Sequence, residues 1–186
     1  MEKAIHGKNV KLMFRLLKER AHKKAGLLAL EMSHTYNRET NVETQATKDG
    51  SVATGGSIES NIEMEFLKTN TDVFSMLEYA YENGEEIEVW RIFFDNPVEG
   101  AKRKYKAQYG TGILGNFPDA AEAESNASVS TMLNLNGLLV NGEATVDAEN
   151  DELAKAFFYD TVVDAKPEEP KAIYEPQTTS PELPAK

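Results

Sequence analysis

The sequence predicts a mainly β (α+β) protein: an antiparallel β-sandwich or barrel flanked by one short α-helix, with a long polar loop and a disordered C-terminal tail. Three observations carry this. Several separate stretches alternate apolar and polar side chains with a period of two, the pattern of half-buried strands. One internal stretch, Val73 to Tyr81, instead repeats its apolar residues at the three- and four-residue spacing of an amphipathic helix. Five of the seven prolines fall between Pro167 and Pro184, among Glu, Lys, Thr and Ser.

Taken in order, Met1 to Gly7 reads as an N-terminal arm, and residues 8–163 as one β domain. Lys8 to Lys18 alternates, with Val10, Leu12, Phe14 and Leu16 on one side and Lys11, Met13, Arg15 and Leu17 on the other. A helix over Val10 to Leu17 is the weaker reading, because Lys8 and Asn9 make a poor cap. Glu19 to Gly26 is a basic connector, and Leu27 to Tyr36 makes a second strand. Asn37 to Gly56 is nearly free of large apolar residues beyond Val42 and Val52. Long polar loops inside compact domains tend to be functional or disordered. This one reads either as a loop that orders on assembly or as an extended hairpin reaching a neighbouring subunit.

Ser57 to Lys68 alternates cleanly, with Ile58, Ile62, Met64 and Phe66 opposite Glu59, Asn61, Glu63 and Glu65. The helix follows at about residues 71–83. Asn70, Thr71 or Asp72 can cap its start, and Gly84 supplies the left-handed residue that ends it. Ile87 to Phe94 is apolar on both faces in its second half, which places it inside a sheet. Asn96 to Gly100 is a turn. Lys102 to Phe117 is extended and interrupted by Gly110, Gly112 and Gly115, as at bulges or bends. Pro118 to Asn126 is an acidic connector, and Ala127 to Leu135 another half-buried strand. Asn136-Gly137 is a strong hairpin signal, with Leu138 to Val140 as its return strand. Asn141-Gly142 reads as a second turn before a short strand, Glu143 to Val146. Asp151 to Val163 reads as a short helix or strand, with Phe157, Phe158 and Tyr159 docking on the body. Residues 164–186 form a Pro-rich, disordered or polyproline tail.

The chain carries no cysteine, which excludes disulfides, thiolate catalysis and Cys-based zinc sites. It has no apolar run near the ~20 residues of a membrane span and no apolar signal-peptide core in Met1 to Lys11, so a soluble, intracellular product is expected. Its net charge of −11 is unevenly spread. Residues 1–36 carry eight Lys/Arg against three Glu, whereas residues 37–163 carry nine against twenty-three Asp/Glu. An acidic body of this kind is a poor binder of nucleic acid, whose affinity for proteins rests on basic groups.

No constellation supports catalysis. His6, His22 and His34 share no metal-ligand spacing. Gly110-Thr111-Gly112-Ile113-Leu114-Gly115 has the spacing of a dinucleotide fingerprint, but no helix follows it. No serine sits in a nucleophile elbow. Neither an enzyme nor a bound cofactor or metal is expected. Unclosed antiparallel sheets present unpaired edges, and assembly is one way to satisfy them. The pattern therefore points to a structural or interaction protein.

The order of several motifs resembles the major tail protein, or tail tube subunit, of long non-contractile-tailed phages of Gram-positive bacteria. The residues that carry the resemblance are Gly7-Lys8-Asn9-Val10-Lys11-Leu12-Met13-Phe14-Arg15, Ala46-Thr47-Lys48-Asp49-Gly50, Glu88-Val89-Trp90 and Tyr109-Gly110-Thr111-Gly112. Each is weak alone, and together they span most of residues 7–160.

The resemblance implies a β-sandwich with a flanking helix, six copies of which form a ring. Sheets of the six would join in a barrel around a lumen, and rings would stack into a tube that conducts genomic DNA to the host cell. It implies a place in the virion tail, assembly in the host cytoplasm, and tape-measure, terminator and distal tail proteins as partners. The loop residues Asn41, Thr44, Thr47, Lys48, Asp49 and Gly50 would then contact neighbouring subunits or rings. DNA would pass without specific binding, so the lumen should be acidic, with Glu59, Glu63, Glu65, Glu88 and the acids of residues 119–124 as its candidates. The alternatives are a monomeric β-sandwich binding module that uses the 37–56 loop, and another ring-forming tail component such as a terminator.

Overall fold

The computed structural model describes residues 5–156 apart from 122, 124 and 125. The Met1–Ala4 end of the arm, Phe157 to Tyr159, the Pro-rich tail, Glu122 and Glu124 lie outside the described residues. Nine strands and two α-helices follow in the order β1 (Val10–Leu16), β2 (Gly26–Leu27), β3 (Glu31–Thr47), β4 (Gly50–Leu67), α1 (Asp72–Asn83), β5 (Ile87–Pro97), β6 (Lys104–Asn116), β7 (Asp119–Ala120), β8 (Ser128–Leu135), β9 (Val140–Thr145) and α2 (Ala148–Ala156).

All nine strands belong to one antiparallel sheet of order β2-β1-β5-β6-β8-β4-β3, with β7 added to β8 and β9 to β6. Its two end strands, β2 and β3, are separated in the chain by residues 28–30 alone, so the sheet must curl until its ends approach. The link itself holds the seam: Leu28 N–H donates to Leu12 C=O at 2.9 Å, and Leu30 C=O accepts from Leu67 N–H at 3.1 Å. The strands β2 and β3 do not pair with each other, and the sheet stays unclosed.

Inside the curl lies the main core, built from Leu12, Phe14, Ile62, Met64, Phe66, Val89, Val129 and Leu133 with Phe74, Leu77 and Ala80 of α1. The apolar stripe of α1 faces inward because its buried positions recur every three residues. The Thr71 hydroxyl caps it by accepting from Phe74 N–H at 3.3 Å, and Gly84 ends it at φ +62°. A smaller cluster lies on the opposite face of β1 and β5, where Met13, Ile92, Tyr105, Ala107 and Val146 pack together. There α2 docks: Tyr105 Oη donates to Asp151 at 2.7 Å, and Asn150 Oδ1 accepts from Leu27 N–H at 3.4 Å. The strand β5 lies between β1 and β6, as its two apolar faces predict.

Three local expectations are corrected, and one is decided between its two alternatives. The strand expected over Leu27 to Tyr36 is broken at Leu30, whose φ of +51° no strand accommodates. Of the two readings of segment 37–56, the extended hairpin is the one found: β3 and β4 pair from Tyr36–Ile62 to Thr47–Gly50 around a tip at Lys48-Asp49, with one bulge where Gly56 and Ser57 stand opposite Asn41. Asn136-Gly137 does not close a hairpin. β9 turns away from β8 and pairs with Lys104–Tyr109 of β6, while β8 pairs with Gly112–Asn116 on the same edge. Asn141 and Gly142, read as a turn, lie within β9.

The glycines of β6 sit where these two partners meet. A Cβ on Gly112 would collide with the backbone carbonyl of Asn134, and one on Gly110 would lie 2.6 Å from a Leu139 methyl. Gly115 marks a register slip against β8 between Leu114 and Asn116.

Candidate assembly surfaces

The broad outward face of β3, β4 and β8 follows directly from register. Opposed residues of an antiparallel pair share a face, so Ser33, Thr35, Asn37 and Glu39 lie beside Glu65, Glu63, Asn61 and Glu59. Ser130, Met132 and Asn134 of β8 continue that row beyond Glu65, Glu63 and Asn61. No Lys or Arg stands at any of these register positions. The expected acids Glu59, Glu63 and Glu65 are therefore brought together on one surface. Of the connector acids, Asp119 is paired with Lys68 at the end of β4.

Glu88 leaves this set, which is a correction. Its side chain is 1% exposed, on the far wall of the sheet next to Arg15 and Tyr109. Arg15 Nε donates to Oε2 at 2.7 Å, while Arg20 Nε and Tyr109 Oη donate to Oε1 at 2.8 and 2.7 Å. Burial pushes its carboxyl up, but these three donors outweigh burial and hold it below the usual carboxylate range. Burial and the neighbouring Glu88 carboxylate push the Tyr109 phenol up. Strand alternation predicts a face for Glu88; its two arginine partners, some 70 residues away in the chain, are not legible in a local pattern. Arg15 also lies over the Trp90 ring, 5.0 Å from its centroid.

A second polar group that the sequence did not reveal sits at the seam. A β-bulge between Glu31 and Ser33 turns Glu31 to the inner face of β3. There it hydrogen-bonds His34, and its other oxygen accepts from Leu12 N–H at 3.2 Å. Arg91 Nε donates to His34 Nε2 at 2.9 Å and Arg91 Nη1 to Gln108 at 3.2 Å. Burial is the main reason that the Arg91 guanidinium lies below its ordinary pKa. The groove beside it, about 470 Å3, is lined by Lys8, Val10, Lys11, Ser33, His34 and Arg91. With every side chain of this network engaged by its neighbours, it ties four strands together rather than presenting a reactive group.

The remaining expected residues, Asn41, Thr44, Thr47, Lys48, Asp49 and Gly50, all lie on the projecting part of the β3–β4 hairpin. Pairing with β8 stops at Asn61–Asn134, so beyond Asn37 the hairpin is a two-stranded ribbon. Ten further residues of β3 carry it roughly 33 Å out from the body at about 3.3 Å per residue. Both of its faces are exposed, and Val42, Val52 and Ile58 are each at least half exposed. An isolated two-stranded hairpin is marginal in water.

Among the described residues, a sheet whose 17-residue end strand leaves its outer edge open, with a projecting ribbon and one cation-free face, defines a β protein that presents open assembly surfaces. The chain belongs to the phage tail tube protein family, whose model matches residues 4–141. It is 26% identical over 143 residues to the tail tube protein gp17.1 of Bacillus phage SPP1, covering 76% of this chain and 53% of that protein. The chain thus spans about half the length of this curated relative. The SPP1 tail tube structure matches with a TM-score of 0.68 at 22% identity, over 81% of this chain and 85% of that one. The tail of an empty gene transfer agent particle, described with C6 symmetry, matches at 0.60 and 14% identity, over 75% and 99%. At these identities the likeness to the solved structures is one of fold.

Proposed function

We propose that the protein is a structural subunit of a phage tail, six copies of which form a ring that stacks into the tube through which genomic DNA passes. The observation that carries this reading is the cation-free outward face of β3, β4 and β8. Duplex DNA bears about one negative charge per 1.7 Å, so a basic wall would hold it at every ring, whereas an acidic wall lets it slide. Glu59, Glu63 and Glu65 are the residues of this wall. The unpaired edge of β3 is a surface onto which a sheet of the adjacent copy can add, which also removes an exposed edge. The ribbon from Asn41 to Gly50 reaches a neighbouring copy, whose contact would stabilise it. The tape-measure, terminator and distal tail proteins are the partners of such a tube in the virion.

Negative-stain electron microscopy of the purified protein over a concentration series, beside light scattering, tests this. Hollow tubes or six-fold rings are the expected result. A monomer at every concentration, also after adding a tail initiator complex, overturns the reading in favour of a monomeric binding module; closed rings that never stack favour a terminator.

A further inference from the structure

Arg91 stands where the inner row of the sheet runs out of apolar side chains. Along that row Leu12 of β1 stands opposite Arg91 of β5, then come Gln108 of β6 and Asn141 of β9. The guanidinium is held on three sides. Its Nε donates to His34 Nε2, its Nη1 donates to Gln108 Oε1, and its Cζ lies 5.3 Å over the centroid of the Phe93 ring. Both acceptors are themselves fixed. Asn141 Oδ1 accepts from Gln108 Nε2 at 3.0 Å. An arginine can only donate, so His34 Nε2 is an acceptor and the ring carries its proton on Nδ1, towards Glu31.

These two acceptors are neutral. A charge drawn partly out of water is ordinarily paired, yet among the described residues no carboxylate forms an ion pair with the half-buried Arg91. The charge of Glu31 acts on it, but both oxygens of Glu31 are engaged, one by His34 and the other by Leu12 N–H. Arg38, on the same row of β3 as His34, adds repulsion. Lys8 and Lys11 line the groove with Arg91, so these surroundings are cationic in a chain whose net charge is −11. Arg91 Nη2 has no partner among the described residues. Since no buried side-chain nitrogen or oxygen among them lacks one, Nη2 is open to solvent at the groove that Arg91 lines.

We propose that this groove is a binding site for one oxyanion, a carboxylate or phosphate group, which Arg91 holds through Nη2 and which supplies the countercharge the guanidinium lacks. Bonds from a guanidinium to such a group are charge-assisted, about twice as strong as neutral ones. Held between His34, Gln108 and Phe93, the donor is already in place before the anion arrives, which lowers the entropy of binding it. The room of about 470 Å3 lies in the range of small-ligand clefts, enough for the group and the atoms that carry it. The oxyanion arrives either as a free ion or on an acidic side chain of another protein. Arg91 belongs to β5 and His34 and Ser33 to β3, so an occupant spans the seam and its binding stabilises the curl.

The test follows the Arg91 Nε–H signal by 1H–15N NMR of the full chain, in solution or as sedimented tubes. The signal is assigned through its contact with the His34 ring, so no substitution at Arg91 is needed. Inorganic phosphate and a blocked tetraglutamate peptide are titrated separately, each against sodium chloride at equal ionic strength. A saturable shift of Arg91 Nε–H with Arg20 Nε–H unmoved, and a Tm raised by the same ligand, are the expected results. Arg91→Lys, which keeps the charge but not the planar fork, should weaken binding about tenfold, and Lys48→Gln at the hairpin tip should leave it unchanged. Binding of phosphate alone assigns the site to a free ion; peptide binding about tenfold tighter than phosphate assigns it to a protein carboxylate. No saturable shift with either probe, an equal shift with chloride, or undiminished binding in Arg91→Lys overturns the inference.

Discussion

Arg15 and Glu88 are cross-strand partners in the β1–β5 register, and the Arg15 guanidinium grips the Glu88 carboxylate at 2.7 Å where only 1% of that side chain reaches solvent. Removing Glu88 takes its hydrogen bonds from Arg15 and Arg20, whose side chains are 16% and 57% exposed and can turn to water, at a cost of about 1.5–3 kcal/mol. Glu88→Ala is therefore expected to lower stability by that order in urea denaturation, with β1, β5 and the Arg20 connector loosened together. An unchanged midpoint would refute the account.

The same carboxylate sets an acid limit. Its folded pKa is depressed, so its contribution is full above the unfolded value of about 4.3. That contribution is lost as pH falls through the lower folded value. Stability measured from pH 6 downward should drop below about pH 4, and Glu88→Gln should flatten that part of the profile relative to the unsubstituted chain.

Glycine at two sites separates folding from assembly. Gly112→Ala forces backbone against backbone in the body and should cost about 3 kcal/mol or more, read as a lowered Tm. Gly56→Val disturbs only the exposed ribbon, so the body's Tm should move little while tube formation, scored by microscopy, is lost. Normal tubes from Gly56→Val would show that the bulge is dispensable.

Charge reversal of the wall, Glu63→Lys with Glu65→Lys, touches no ion pair found among the described residues, so stability should change by about 0.5 kcal/mol or less per site. Tubes should remain intact, and DNA ejection from virions carrying the variant should slow. An unchanged ejection rate would remove these residues from the channel.

The caps of α1 offer a local check. Thr71→Ala should cost about 1 kcal/mol, and Gly84→Ala, which forces a side chain to φ +62°, about 1–2 kcal/mol. Both are read by thermal melts, and neither should alter the ribbon.

Much of this fold was legible because its amplitude is hydrophobic. Val10 to Leu16, Ile62 to Phe66 and Val129 to Leu135 announce their faces, and the change of period at Val73 marks α1 with both caps. The ribbon was legible as one of two alternatives, an extended hairpin, and not as a definite pair of strands. One row holds Val42 and Ile58 among Thr, Ala, Ser and Gly, while the other mixes Val52, Thr47 and Thr54 with Asn, Glu and Gln, so the alternation is too uneven in hydropathy to register as a strand. The partner of β9 was hidden for another reason. Asn136-Gly137 fixes a local bend, but pairing is decided by Leu139 packing against Gly110 and by the Asn136 side chain bonding Thr111 Oγ1 at 3.1 Å. Acids on a solvent-facing row and an acid under two arginines look alike in sequence, and only the distant partners distinguish Glu88 from Glu63.

The three-residue link between β2 and β3 has a kinetic consequence. β3 and β4 adjoin in the chain and can zip from the Lys48-Asp49 tip on the ~1–10 μs scale of a hairpin. Closing the curl must await β1 finding β5 more than 70 residues on, a slow, non-local search. The chain therefore displays its stickiest edge, β3, well before its core is complete. Along that early hairpin Glu39, Glu43, Glu59, Glu63 and Glu65 give newly made chains mutual repulsion, delaying edge-to-edge contact until each copy has finished folding.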